Sequence, residues 1–272
     1  MTAYTQYRDP TDTRRTPSPN IWADCPTLQI LHDPGAGWHF FDDFTAGKNV
    51  DQSDSYLTHG NWNISSSTGV TFGPIIDGDF GVAQVADNDA DEDGIVIWQE
   101  GTARFGTGGF DQVWFEARFQ VPSVADSTQG FFLGFMETTV RPTSVITLVD
   151  DTCEPDASED FVGLLQVDAD GNVLEAIYQE GGATRVNVGD LLTIVATTNY
   201  KVGMRYKRTG ATTGLLEYFL NGALTQTLDV TSSLSFPDVN HLGLVFAHKT
   251  TAAGAVTFNL DWIRGAAVGG NI

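Results

Sequence analysis

Residues 112–121 constrain the fold more than any other stretch of this chain. Val113, Phe115, Ala117, Phe119 and Val121 alternate with Trp114, Glu116, Arg118 and Gln120. A period of two sends successive side chains to opposite faces, which a half-buried strand requires and an α-helix cannot satisfy. Similar short runs recur at 130–137, 161–167, 173–179, 200–207, 215–220, 241–248 and 256–263. In the last run, Val256, Phe258, Leu260 and Trp262 are placed on one face by simple alternation. The runs are separated by Gly, Asp, Asn, Ser and Thr. Asp168-Ala169-Asp170-Gly171-Asn172 joins one pair of strands and Asn221-Gly222 another, and Asn-Gly suits a type I′ hairpin turn. Residues 188–196 read equally as a short helix or a strand. Many short antiparallel strands at this spacing predict an all-β sandwich or barrel.

At 272 residues with 41% hydrophobic side chains, one large β domain can bury a core without disulfide or metal staples. The predicted division is an extended N-terminal arm over 1–34, a β-sandwich over 35–265 and a flexible tail over 266–272. The arm carries Pro10, Pro17, Pro19, Pro26 and Pro34 beside Arg8, Arg14 and Arg15. Proline fixes φ and removes donors, so the arm is predicted to be extended and not helical. It reads either as a disordered terminus or as an arm gripping a neighbouring subunit through Arg8, Arg14, Arg15 and Trp22.

The formal charge is −21, from 35 acidic against 14 basic residues. Such a chain repels phosphate backbones and anionic lipid, so neither nucleic acid nor membrane is an expected partner. No run approaches the roughly 18 apolar residues of a membrane span. The opening residues lack the apolar core of a secretion signal, so synthesis in a cytoplasm without export is expected. Two cysteines, Cys25 and Cys153, form neither a disulfide framework nor a zinc set. The five histidines show no short-spaced metal pair and read as ordinary core or surface residues.

Three stretches together resemble a known architecture. Residues 40–44 (FFDDF) resemble an entry strand. Residues 200–206 and 215–224, with their Asn221-Gly222 turn, resemble a hairpin. Residues 256–265, with Asp261-Trp262-Ile263-Arg264, resemble a closing strand. Their order is similar to the concanavalin A-like lectin/glucanase (laminin-G-like) jelly-roll sandwich, over roughly residues 38–265. The combination of arm, acidic sandwich and missing signal also resembles jelly-roll proteins of tailed-phage particles. The first resemblance implies an antiparallel jelly-roll β-sandwich, a fold that hosts lectins, glucanases and structural modules alike.

The chemistry was tested residue by residue. Glucanases of this fold carry carboxylates at alternate positions, E-x-D-x-E or E-x-D-x-x-E, because retaining hydrolysis needs a pair about 5–5.5 Å apart. None of Glu116, Glu137, Glu175, Glu180 and Glu217 opens either arrangement: each stands alone. No nucleophile elbow, P-loop or dinucleotide fingerprint is present. Asp89, Asp91, Asp93, Gly94 and Glu100 do satisfy the spacing of a calcium loop. The flanks read as strand, so the competing reading is an acidic hairpin. Asp150, Asp151, Glu154, Asp156, Glu159 and Asp160 form a second acidic loop. Trp114, on the polar side of its strand, is the candidate for stacking on a sugar, against the alternative of packing under a covering segment.

Together these readings favour a non-enzymatic structural protein of a virus particle. It would be a homo-oligomeric capsid decoration or related head or tail component, anchored to other virion proteins or neighbouring copies by its arm. The alternative is a carbohydrate-binding or receptor-binding module, calcium-assisted if Asp89, Asp91, Asp93 and Glu100 hold the ion. A hydrolase with dispersed carboxylates is the third reading.

Overall fold

The computed structural model describes residues 15–44, 50–51, 57–59, 62–67, 70–74, 81–86, 93–106, 108–124, 129–137, 148–149, 153–167, 171–210, 213–231, 233–238, 240–251 and 256–269. Two short helices, α1 (Pro19–Trp22) and α2 (Thr27–His32), and a 3-10 turn (Pro34–Ala36) precede the strands. The strands begin with β1 (Gly37–Asp42), β2 (Val50–Asp51), β3 (Leu57–His59), β4 (Trp62–Ser66), β5 (Thr71–Pro74) and β6 (Ala83–Ala86). Next come β7 (Gly94–Ala103), β8 (Gln112–Gln120), β9 (Gln129–Glu137), β10 (Leu148–Val149), β11 (Glu154–Pro155), β12 (Phe161–Gln166) and β13 (Val173–Gln179). The last are β14 (Val186–Thr193), β15 (Asn199–Arg208), β16 (Gly214–Leu220), β17 (Ala223–Asp229), β18 (Leu242–Thr250) and β19 (Thr257–Val268).

They form two large antiparallel sheets packed face to face. The first runs β17-β16-β15-β8-β19-β6-β5-β2, with β1 also paired to β19. The second runs β14-β13-β12-β9-β18-β7-β4-β3. The all-β sandwich is as the alternation predicts. The side of β8 that carries Val113, Phe115, Ala117, Phe119 and Val121 enters the main core with Phe131, Phe246 and Phe258. Within it Phe119 stacks on Phe258 at 5.3 Å, and Phe131 meets the same ring at 4.8 Å. Each buried phenylalanine contributes roughly 1.5–3 kcal/mol relative to an exposed one.

The hairpin turns follow their chemistry. Asn221 (φ 49°) and Gly222 (φ 80°) both occupy the left-handed region that joins β16 to β17, as a type I′ turn needs. Residues 186–193 are strand, which resolves the ambiguity at 188–196 for most of its length.

Three expectations are corrected. Trp262 does not share a face with Phe258 and Leu260. The pairing of β19 with β8 skips a residue between Leu260 and Trp262. That bulge at Asp261 reverses the alternation, sending Ile263 into the core and Trp262 to the outside of the sheet. Residues 266–268 are not a loose tail: they end β19 and pair with both β1 and β8. The segment 19–32 is not extended. Pro19 occupies the first turn of α1, Pro26 caps α2 and Pro34 opens the 3-10 turn. A proline at a helix start sacrifices only an N–H that has no helical partner anyway, so these prolines begin helices instead of forbidding them.

The two outer faces differ in chemistry. Outside the second sheet lies an apolar, buried layer of Val96, Trp98, Phe132, Met136, Phe161, Leu165, Ile177 and Val245, with Cys153 among them. Outside the first sheet the side chains are charged, amide or aromatic, and helices α1 and α2 lie across part of them.

Candidate functional site

The outward side of the first sheet is set by the register of its central strands. Lys201 pairs with Arg118, Gly203 with Glu116 and Arg205 with Trp114, while Glu116 also faces Arg264 across β19. These positions are the polar half of the alternation in β8 and of its neighbours. Arg118, Lys201, Arg205, Lys207 and Arg264 thus share this side of β8, β15 and β19 with Glu116 and Asp261. Glu217 of β16 joins them, paired with Arg205 at 2.7 Å, so five cations against three carboxylates make it a basic strip on a chain of charge −21.

Residues 15–32 lie over one end of the strip as a strap. Ile21 and Ile30 close on Trp114, Phe219 and Ala266. Glu116, fully buried, accepts from the Ser18 N–H at 3.0 Å and from Trp22 Nε1–H at 2.7 Å. Burial pushes the Glu116 carboxyl up, against the lowering effect of those donors and of Lys201. Lys201 Nζ donates to the Thr16 carbonyl at 3.0 Å. Asp24 accepts from Trp114 Nε1–H at 3.1 Å and pairs with Lys207 at 2.8 Å and Arg205 at 3.2 Å. Arg264 stacks its guanidinium 3.8 Å over the Trp22 ring and donates to His39 Nε2 at 3.0 Å. Burial and that guanidinium push His39 down to about 4.

Where the strap ends, a cleft of about 290 Å³ remains, lined by Arg15, Val82, Arg118, Gln120, Asn199, Asn259 and Asp261. Asp261 lies on this side by simple alternation with the core residues Phe258 and Leu260. Arg15 Nε donates to Asp261 Oδ1 at 2.5 Å, and Arg118 Nη1 donates to Oδ2. Arg15 Nη2 also reaches the Gly81 carbonyl at 2.6 Å. Alongside runs an amide relay. Gln84 Nε2 donates to Asn259 Oδ1 at 2.9 Å, Asn259 Nδ2 to Gln120 Oε1 at 3.1 Å, and Gln120 Nε2 to the Thr197 carbonyl at 3.0 Å. The Asn199 side chain opens into the same space. Such a lining can hydrogen-bond a small polar ligand in several directions at once, and among the described residues it holds one carboxylate, where glycoside hydrolysis uses a pair.

The sequence-predicted residues fall differently. Trp114 is fully buried under the strap, so it cannot stack on a sugar: the polar side of β8 is a packing surface at that position. Trp22 and Arg15 are engaged with the chain's own sheet. Arg8 and Arg14 lie outside the described residues. So do Asp89 and Asp91 of the calcium pattern. Asp93 stands just before β7, and Glu100 lies seven residues along that strand, about 20 Å away at some 3.3 Å per residue. They cannot chelate one ion, because β7 runs straight where a calcium loop must turn back.

In the second acidic loop, Asp150 and Asp151 are outside the described residues. Glu154 pairs with Arg185 at 2.8 Å, and Asp160 accepts from Asn240 at 2.8 Å and Gly181 N–H at 2.5 Å. Among the described residues no three His, Cys, Asp or Glu gather as a metal site. His248 is a core histidine beside Gln129 and Phe258.

The cleft residues were not singled out from the sequence. Arg118, Gln120 and Asp261 were legible as outward positions of their strands, but the strap that adds Arg15 was not.

No family model matches the chain, and no curated protein matches it. Solved structures do match its shape. A protein of unknown function from Shewanella oneidensis MR-1 superposes with a TM-score of 0.54 at 12% identity, covering 89% of this chain and 94% of that one. The carbohydrate recognition domain of Emp46p, in a potassium-bound form, gives 0.51 at 10% identity over 78% and 90% of the two chains. That of Emp47p gives 0.51 at 11% identity over 88% and 99%. The sandwich therefore has the concanavalin A-like fold, in agreement with the resemblance in the sequence. At these identities the likeness is one of fold.

Proposed function

We propose that this protein is a carbohydrate-binding module without catalytic chemistry, and that the cleft beside Asp261 is its binding site. The observation that carries the reading is the lining: two guanidiniums, three amides and one carboxylate converge on a space at the small end of ligand clefts. Sugar hydroxyls require such convergent donors and acceptors. The carbohydrate recognition domains that share the fold support the reading by analogy. Both oxygens of Asp261 accept from arginines, so its carboxylate positions the two guanidiniums of the cleft. Among the described residues no aromatic ring lines the cleft. Affinity must then come from hydrogen bonds, and a dissociation constant for one sugar unit of about 0.1–1 mM is expected.

The virion-decoration reading relied on an arm available to a neighbour. Arg15 and Trp22 are committed within the chain, leaving that reading to residues 1–14, outside the described residues. Sugar binding is therefore the reading that the geometry favours. The test is a backbone-amide NMR titration with a panel of mono- and disaccharides. Shifts centred on Gln120, Asn199 and Asn259, lost in Asn199→Ala, are the expected result. A panel that moves none of these residues in the folded protein overturns it.

A further inference from the structure

The donors and acceptors of the cleft do not balance, and the imbalance selects its ligand. Resting on the carbohydrate reading above, we infer that the cleft takes an acidic sugar, one whose ring carries a carboxylate, in preference to a neutral hexose.

The acceptors beside the guanidiniums are each engaged by one donor. Asp261 Oδ1 receives Arg15 and Oδ2 receives Arg118. Asn259 Oδ1 receives Gln84, and Gln120 Oε1 receives Asn259. The donors are not spent. Arg118 uses Nη1 for Asp261, while its Nε, buried, has no partner among the described residues. Nη2 of Arg118 and Nη1 of Arg15 are likewise unused there, since Arg15 bonds through Nε and Nη2. Asn199 adds an amide with no side-chain partner among the described residues.

Charge points the same way. Two guanidiniums around one carboxylate leave a formal surplus of one positive charge at the cleft, beside the basic strip and on a chain of −21. A neutral sugar leaves the charge surplus in place and offers the unpartnered Arg118 Nε only a neutral acceptor. A carboxylate brings only acceptors, matches the planar fork of a guanidinium and neutralises the surplus. The rest of the sugar ring then has the Asn199 amide and the side of Val82 to lie against.

The experiment is isothermal titration of the full chain at pH 7 with D-glucuronate, its methyl ester, D-glucose and sodium acetate, each with Arg118→Gln and Asn199→Asp in parallel. The ester keeps the ring and removes the charge. Glucuronate is expected to bind at least tenfold more tightly than glucose or the ester, and acetate not measurably. Arg118→Gln should abolish the difference. Asn199→Asp puts a carboxylate in the cleft without touching the Arg118–Asp261 pair and should weaken glucuronate at least tenfold, so the result does not hang on Arg118→Gln folding normally. Glucose binding as well as glucuronate overturns the acidic preference and leaves the carbohydrate reading standing. Acetate matching glucuronate makes the cleft a plain anion site and overturns the inference. No binding by any of the sugars overturns the inference and the carbohydrate reading with it.

Discussion

Trp22 Nε1 donates to Glu116 Oε2 at 2.7 Å, joining the strap to the middle of β8 through a carboxylate that is fully buried. The bond is charge-assisted when Glu116 is ionised, and it is one of three contacts on those two oxygens, the other two coming from the Ser18 N–H. Replacing Trp22 by Phe keeps a ring under Arg264 and removes only the donor. A hydrogen bond to a charged group contributes about 1.5–3 kcal/mol, so Trp22→Phe should lower the unfolding free energy by about 2 kcal/mol in urea. Trp22→Ala, which also removes the ring, should cost more. Equal losses for the two variants would show that the indole N–H contributes nothing.

The stability of the fold should peak near pH 6.5. His39 and His248 are each pushed down to about 4, His39 by burial and Arg264 and His248 by burial alone. Between about 4 and their ordinary 6.5 the unfolded chain binds more protons at these two positions, so stability rises with pH across that window. Glu159 is pushed up to about 8 by burial, then by Asp156 and Glu137. There the folded chain holds the extra proton, so stability falls as pH climbs from about 4.5 to 8. Below pH 6.5 the two histidines outweigh Glu159; above it Glu159 is still titrating, and the buried Glu116, also pushed up, acts in the same direction. Glu159→Gln should reduce the alkaline decline and raise stability at pH 8 by about 1–3 kcal/mol. Thermal midpoints from pH 5 to 8.5 for both proteins test this; parallel profiles would refute it.

Asp261 holds Arg15 of the strap and Arg118 of β8 with its two oxygens, and its side chain is almost wholly buried. Asp261→Asn would leave two cations facing each other across a neutral amide. Breaking a buried pair from one side costs about 3–5 kcal/mol; Arg15 is partly exposed, so about 2–4 kcal/mol is expected here. The same variant should enlarge the positive surplus of the cleft. It is therefore predicted to lose stability yet bind glucuronate no more weakly than the parent, measured by denaturation and titration on the same preparation. A variant as stable as the parent would remove the ion triad from the account of this face.

Much of the sandwich was legible because its signal is local. The alternation at 112–121, the Asn221-Gly222 turn and the apolar runs at 161–167 and 242–248 each specify a strand without reference to the rest of the chain. The site was not legible for the opposite reason. Whether Trp114 is exposed depends on Ile21 and Ile30, more than 80 residues away in sequence. Whether Trp262 or Ile263 enters the core depends on a one-residue bulge that the composition of β19 does not announce. The prolines misled because their effect is positional: Pro19, Pro26 and Pro34 stand at starts of turns, where the missing N–H has no cost. The calcium spacing misled because a linear pattern says nothing of whether the chain between Asp93 and Glu100 curls or, as in β7, runs straight.

Removing residues 1–34 separates the two roles considered for the N-terminal segment. If the segment served only a neighbouring copy, residues 35–272 would remain a well-folded sandwich that had lost an oligomer. The contacts within the chain predict otherwise. Without the strap, Trp114 and Phe219 lose Ile21 and Ile30. Glu116 loses the Ser18 and Trp22 donors, and Asp24 no longer pairs with Arg205 and Lys207. Ile21 alone, fully buried, would cost about 2–4 kcal/mol on truncation to Ala. The 35–272 protein should therefore melt at least 10 °C lower, bind a hydrophobic dye and show a red-shifted tryptophan emission, at a concentration where the full chain does none of these. A truncated protein with unchanged melting and emission would mean that the strap adds nothing to the body, and the role of the segment would pass back to a partner.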